Sequence, residues 1–288
     1  MPELYGIPYK GSKSGIAEEI ISMLPTADTF VDVCAGGCAM THAAILSGKY
    51  KHFIINDIDP LPTKCFIDSI AGKYRNENRW ISREDFFNLK DTDPYVKYCF
   101  SFSGSGMTYV YHTETEGLMK AWHAVCFSRN VYQRNIELSH LIEAYTELLK
   151  RNKRSLTLSS IQSRTSEHIK RLKRLQRLEK LQAYPGAKNI KRYNVDFAEV
   201  PIPNDCVIYC DIPYQSSDLR SCYNGVGFDF SRFYDWAYSQ KHPLFISEYS
   251  LPDDRFKCVW KKFKRVGTTH GLATERLFAP VKRGAQNG

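Results

Sequence analysis

One stretch near the N-terminus leaves the chain little choice of architecture. Thr29-Phe30-Val31-Asp32-Val33 is β-prone and apolar, and it ends in Cys34-Ala35-Gly36-Gly37. Residues 39–46 then suit a helix, and His52-Phe53-Ile54-Ile55-Asn56 is a second apolar run. Strand, glycine turn, helix and strand follow one another in that order. That alternation is the pattern of an α/β fold. The second run stops at Asp57, 21 positions after Gly36. An acid about 20 residues beyond a glycine turn is where nucleotide-binding α/β folds hydrogen-bond ribose hydroxyls. The full G-x-G-x-x-G string is absent, and a tight turn followed by a helix-capping Asp accounts for the same residues.

A later run, Cys206-Val207-Ile208-Tyr209-Cys210, reads as a buried strand and leads directly into Asp211-Ile212-Pro213-Tyr214. Such a tail presents a carboxylate, main-chain carbonyls and an aromatic face at the C-terminal end of a strand, where open α/β sheets bind ligands. The chemistry suits a flat base with an amino group. The lone pair of an exocyclic amine is delocalised into the ring, which makes it a poor nucleophile. Asp211 can accept one amine N–H and the Ile212 carbonyl another, favouring a tetrahedral nitrogen whose lone pair points at an electrophile, while Tyr214 stacks on the base. The plainer alternative is an Asp-initiated turn in which Pro213 ends a strand.

Pro8-Tyr9-Lys10-Gly11-Ser12-Lys13-Ser14 is a basic, turn-rich loop, and Ile16, Ile20, Ile21 and Leu24 follow at helical spacing. The middle of the chain, residues 100–192, changes character. It opens on Ser101-Phe102-Ser103-Gly104-Ser105-Gly106 and ends in two basic helical stretches. Between Lys150 and Arg192 there are 14 Lys or Arg against two acids, Glu167 and Glu179, a balance that can track phosphates. In residues 164–181, Ile169, Leu172, Leu175 and Leu178 share a face that Lys170, Arg171, Lys173, Arg174 and Arg177 surround. A solvated basic surface helix has the same pattern. The α/β pattern resumes at residues 193–197 and continues through Cys206–Cys210. A helix over 233–238, a strand over 244–247, and closing strands over 257–266 and 274–279 follow.

The formal charge of +9 favours an anionic partner such as nucleic acid. No apolar stretch approaches the roughly 18–20 residues needed to cross a bilayer, and residues 1–9 lack the regions of a signal peptide. A cytoplasmic protein with no membrane partner is expected. Of the nine cysteines, Cys99, Cys206 and Cys210 lie in apolar runs and read as reduced core residues. The Cys-x3-Cys pairs, Cys34/Cys38 and Cys206/Cys210, lack a nearby His with zinc-finger spacing, so no metal is expected.

In order, from Tyr9 to about Tyr249, these segments resemble the Dam-like, D12 class DNA adenine-N6 methyltransferases, which use S-adenosylmethionine. The family's Tyr/Trp-x-Gly-x-Lys segment corresponds to Tyr9-Lys10-Gly11-Ser12-Lys13, its D-x-F-C-G-G turn to Asp32-Val33-Cys34-Ala35-Gly36-Gly37, and its N-D-I to Asn56-Asp57-Ile58. Its D-F pair corresponds to Asp196-Phe197 and its D-P-P-Y to Asp211-Ile212-Pro213-Tyr214. Two positions depart: Cys34-Ala35 stands for the family's Phe-Cys, and Ile212 for its first Pro. Pro213 still restricts Ile212 to extended backbone, and the carbonyl needed there belongs to the main chain. The resemblance implies a Rossmann-like, mostly parallel, seven-stranded methyltransferase sheet with a helical target-recognition insertion.

The implied cofactor residues are Tyr9, Lys13, Asp32, Cys34, Gly36, Gly37, Asp57, Asp196, Phe197 and Asp211, with Lys13 near the cofactor's carboxylate. The implied catalytic set is Asp211, Ile212, Pro213 and Tyr214, acting on an adenine flipped out of duplex DNA. Residues 1–99 and 193–288 are expected to form the cofactor-binding domain, and 100–192 the insertion, in a monomer or weak dimer. Ser247-Glu248-Tyr249 falls where the family places a polar stretch near the base pocket, and a strand-end turn explains it equally well. Arg129 and Arg164 are guanine readers only in the sense that any exposed Arg is. Two alternatives stay open: an RNA or protein amine as the acceptor, and a non-catalytic DNA-binding relative.

Overall fold

In a computed structural model, described for residues 4–151, 167–213, 227–265 and 272–281, the expected βαβ unit is present. Strand β1 (Thr29–Asp32) leads through the glycine turn into helix α2 (Ala39–Ser47) and back into β2 (His52–Asn56), parallel to β1. Helix α1 (Ala17–Met23) precedes them and packs on α2, with Ile20 and Ile21 buried. Beyond β2 come α3 (Pro60–Ile70), β3 (Ile190–Tyr193), β4 (Cys206–Cys210), α9 (Phe230–Ser239), β5 (Leu244–Glu248), β6 (Phe256–Arg265) and β7 (Leu272–Pro280). The seven strands lie in the order β3-β2-β1-β4-β5-β7-β6. The first five run parallel, and β7 and β6 close the sheet antiparallel. This is the α/β sheet expected of a Rossmann-like methyltransferase.

The central strands are largely apolar because they are buried on both faces. Val31, Ile54, Ile208, Cys210 and Ile246 point to the side covered by Phe233, Tyr234 and Ala237 of α9. Phe30 packs instead with Tyr50 and Tyr209, their ring centroids 5.1 and 6.4 Å away. One expectation shifts: where the pattern was expected to resume at residues 193–197, the strand ends at Tyr193 and Asp196 caps a short 3-10 turn, Phe197–Glu199. Asn56 causes this break. Its side chain donates to Val195 O and accepts from Val195 N–H, both at 3.0 Å, and so pulls the chain out of the ladder.

By chain contacts the molecule divides into two units: Met1–Gly6, Ser12–Thr63 and Lys180–Gly288, which hold the whole sheet, and Ile7–Gly11 with Lys64–Glu179. The second unit is helical. Helix α4 (Arg83–Leu89) is capped by Ser82, which accepts from Asp85 N–H, and α5 (Pro94–Phe100) by Asp93 with Pro94 in the first turn. Next come α6 (Thr113–Cys126), α7 (Val131–Arg151) and α8 (Glu167–Arg177), whose buried face is Ile169, Leu172 and Leu175. No described helix is long and apolar enough to cross a membrane.

A buried polar chain ties the second unit together. His123 Nε2 lies 2.8 Å from Asn78 O, which can only accept, so Nε2 carries the proton. His123 Nδ1 then accepts from His168 Nε2 at 2.8 Å, and His168 Nδ1 accepts from the Tyr111 hydroxyl. Every donor finds one acceptor only while both imidazoles are neutral. Burial, with His123 and Arg171 beside it, accordingly pushes His168 down to about 3.

Candidate active site

Sheet register decides which side chains meet. Asp32, at the end of β1, pairs with Ile55 on one side and Tyr209 on the other. Asp57 and Asp211 each lie two residues beyond those partners, on strands flanking β1 and roughly 10 Å apart. Three carboxylates therefore line the C-terminal edge of the sheet, where open α/β folds bind ligands.

The glycine turn is built against Asp57. Gly36 N–H donates to Asp57 Oδ2 at 2.7 Å, Asp59 N–H donates to Oδ1 at 2.9 Å, and Ala35 N–H donates to Asn56 O at 2.8 Å. Gly36 has a φ of +45° and Cys38 a φ of +56°, so the chain passes through left-handed backbone twice before entering α2. Asp32 is 1% exposed, and its Oδ2 accepts from Thr41 Oγ1 of α2 at 2.7 Å. Its Oδ1 is buried without a hydrogen-bond partner among the described residues. Burial raises Asp32 to about 7 and Asp57 to about 6, with Asp211 adding repulsion to both.

At the end of β4, Lys13 Nζ donates to Asp211 Oδ1 at 2.6 Å, with the ammonium 3% exposed and the carboxylate 23%. The resemblance puts Lys13 near a cofactor carboxylate; the structure pairs it with Asp211. Ile212 is buried and Pro213 partly exposed, while Tyr214 and Arg164 lie outside the described residues. Asp196 caps its turn by accepting from Ala198 N–H and is gripped at both oxygens by Arg232, whose guanidinium lies 4.8 Å over the Phe197 ring. Phe197 is buried, and Phe233 and Trp236 meet it at interplanar angles of 81° and 62°. Cys34 packs against the same core cluster, its thiol held protonated chiefly by burial. Tyr9 belongs to the second unit, its ring 6.0 Å from that of Tyr98. Among the described residues, no group of three or more His, Cys, Asp or Glu is arranged to hold a metal ion.

Sequence reasoning did not single out several residues that shape this edge. Gly6 runs against Gly37 and Ala39 so closely that a Cβ would lie 2.2 Å from Gly37 O. Asn194 donates to Asp57 O at 2.7 Å and to Ile58 O at 2.8 Å, binding the loop before Asp196 to the loop after β2. Arg232 completes the set and belongs to no short motif.

Open α/β sheets bind their ligands along such a C-terminal edge, as nucleotide- and cofactor-binding folds do. A model of the D12 class N6 adenine-specific DNA methyltransferase family matches residues 9–233, most of the chain, and the chain belongs to that family. It is an adenine-specific DNA methyltransferase, and DNA is its substrate. No curated protein matches it.

Proposed function

We propose that the C-terminal edge of the sheet holds S-adenosylmethionine between the glycine turn, Asp57 and the 194–197 loop. Beside it, Asp211 and the Ile212 carbonyl hold the 6-amino group of an adenine flipped from duplex DNA. The Lys13–Asp211 pair carries this reading. A buried ammonium already donates to Asp211 at 2.6 Å, so the carboxylate is placed to accept an N–H at the strand's end. The donor set fits the cofactor as well: Asp32 Oδ1 is buried without a partner among the described residues, and an ammonium donor would satisfy it.

When bound, S-adenosylmethionine supplies an electrophilic methyl group on a cationic sulfur. Asp57 would accept the ribose hydroxyls, and Gly36 would let the backbone approach. Asp211 and the Ile212 carbonyl would each accept one amine N–H, which would free the nitrogen lone pair for attack and stabilise the positive charge growing on nitrogen. Positioning and electrostatics supply the rate. Tyr214, assigned on sequence grounds, stacks on the flipped base. The basic part of residues 100–192 tracks the DNA phosphates, with Lys170, Lys173 and Arg177 exposed on α8.

The direct test incubates the protein with S-adenosylmethionine and unmethylated duplex DNA, with RNA in a parallel arm, and quantifies methylated nucleosides by mass spectrometry. N6-methyladenine in DNA supports the reading; methyl transfer to RNA alone overturns it.

A pH dependence follows from Asp57. Its carboxyl titrates near 6, and the ionised form is the better acceptor for a hydroxyl. Affinity for S-adenosylhomocysteine should therefore rise as pH goes from 5 to 7, by up to about tenfold per unit. Calorimetric titration of Asp57→Asn should lose the component centred near 6 while keeping any centred near 7, where Asp32 titrates. An identical profile in this variant would place the ribose contact elsewhere, with Asp59 the next residue to replace.

A further inference from the structure

We propose that Arg232 competes with the cofactor's adenine ring for Asp196 and Phe197 and must give way for the cofactor to bind. The inference rests on the cofactor reading above and adds a residue to it.

The subsite is fixed by hydrogen bonds within the sheet unit. Asn56 donates to Val33 O and Val195 O, and Asn194 donates to Asp57 O and Ile58 O. Two residues after Asn194, Asp196 caps a 3-10 turn, beside a loop already bound to the backbone of the ribose acid. A carboxylate followed by an aromatic ring at this point offers what an amino-substituted purine recognises: an acceptor for the amine N–H and a face for the ring.

Arg232 fills both parts of that offer. It sits in the first turn of α9, where its own N–H donates to the capping carboxylate of Asp229. Its Nη2 donates to Asp196 Oδ1 at 2.7 Å, its Nη1 donates to Oδ2 at 3.0 Å, and the planar guanidinium lies 4.8 Å from the Phe197 centroid. A planar group with parallel N–H donors on a carboxylate and its plane near a phenyl ring has the contacts of an adenine edge and face. Phe233 and Trp236 meet Phe197 at interplanar angles of 81° and 62°, so neither ring is stacked parallel on it. The pair is also displaceable. Arg232 is 52% exposed and Asp196 35%, and exposed ion pairs of this kind hold weakly and are screened by salt.

The test is calorimetric binding of S-adenosylhomocysteine and of uncharged adenosine to the native protein, Arg232→Ala and Arg232→Gln, with thermal melts to establish that each is folded. Removing the competing guanidinium should tighten both ligands by about threefold to tenfold in Arg232→Ala, with Arg232→Gln between it and the native protein. Raising the salt should narrow the gap between native protein and Arg232→Ala, because salt loosens the native pair. Equal or weaker binding by folded Arg232→Ala and Arg232→Gln would overturn the proposal and make Arg232 a support for Asp196. If the native protein and both variants fail to bind either ligand, the cofactor reading itself fails.

Discussion

Asp211→Asn is expected to lower methyl transfer by at least about 100-fold while leaving duplex DNA affinity within a few-fold of native. The substitution keeps the shape of the side chain and removes its charge. On the proposed reading it thereby removes the stabilisation of positive charge growing on the target nitrogen, an effect for which single preorganised groups account for roughly 100- to 1000-fold. Asp211→Ala is the less clean experiment, because it takes from Lys13 the oxygen acceptor that Asn keeps as well as the counter-charge. Lys13 is 3% exposed and donates to Asp211, and removing one partner of a buried pair costs about 3 kcal/mol or more. Part of its lost activity would then reflect lost stability. Combining Lys13→Met with Asp211→Ala separates the two: the double variant should recover most of the melting temperature and none of the methyl transfer. Measurable N6-methyladenine at near-native rates from Asp211→Asn would remove Asp211 from the chemistry.

How far sequence carried the fold depended on where each strand lies. β1, β2 and β4 are central, so Val31, Ile54 and Ile208 had to be apolar, and glycine or aspartate marks where each strand leaves the sheet. β3 is an edge strand of sequence Ile190-Lys191-Arg192-Tyr193, with its two basic residues exposed, and what makes it a strand is its pairing with β2. No periodicity in four such residues separates it from a loop. The short helices α4 and α5 carried capping signals at Ser82 and at Asp93-Pro94, which a search for long amphipathic runs passes over. At the candidate site, a fixed spacing tied Gly36 to Asp57, and that pair is a local consequence of the turn. Lys13 and Asp211 are 198 positions apart, and Asp196 finds Arg232 36 positions away through the docking of α9. Contacts of that kind come from tertiary packing and leave no trace in a short motif.

Gly6→Ala should be the most damaging small substitution in the sheet unit, although Gly6 lies outside every motif. Its φ of +70° already disfavours a side chain, and an added Cβ would lie 2.2 Å from Gly37 O, 2.7 Å from Ala39 N and 2.9 Å from Ala39 Cα. All three are backbone atoms that cannot rotate aside. Moving them disturbs the turn whose Gly36 N–H meets Asp57, and also the Gly6 N–H donation to His42 Nδ1 at 2.9 Å. A cost of about 3 kcal/mol or more is expected from overpacking and backbone strain together. That corresponds to a fall in apparent melting temperature of roughly 6–12 °C. Affinity for S-adenosylhomocysteine should fall with it. Gly11→Ala is the matched control, because Gly11 has a φ of +82° and no neighbouring atom within 4 Å of a built Cβ. It keeps the backbone penalty without the collision and should cost only about 1 kcal/mol. If the two variants melt together, backbone conformation alone sets the requirement at Gly6; a wide gap between them means that Gly6 is glycine so that the N-terminal segment can press against the glycine turn.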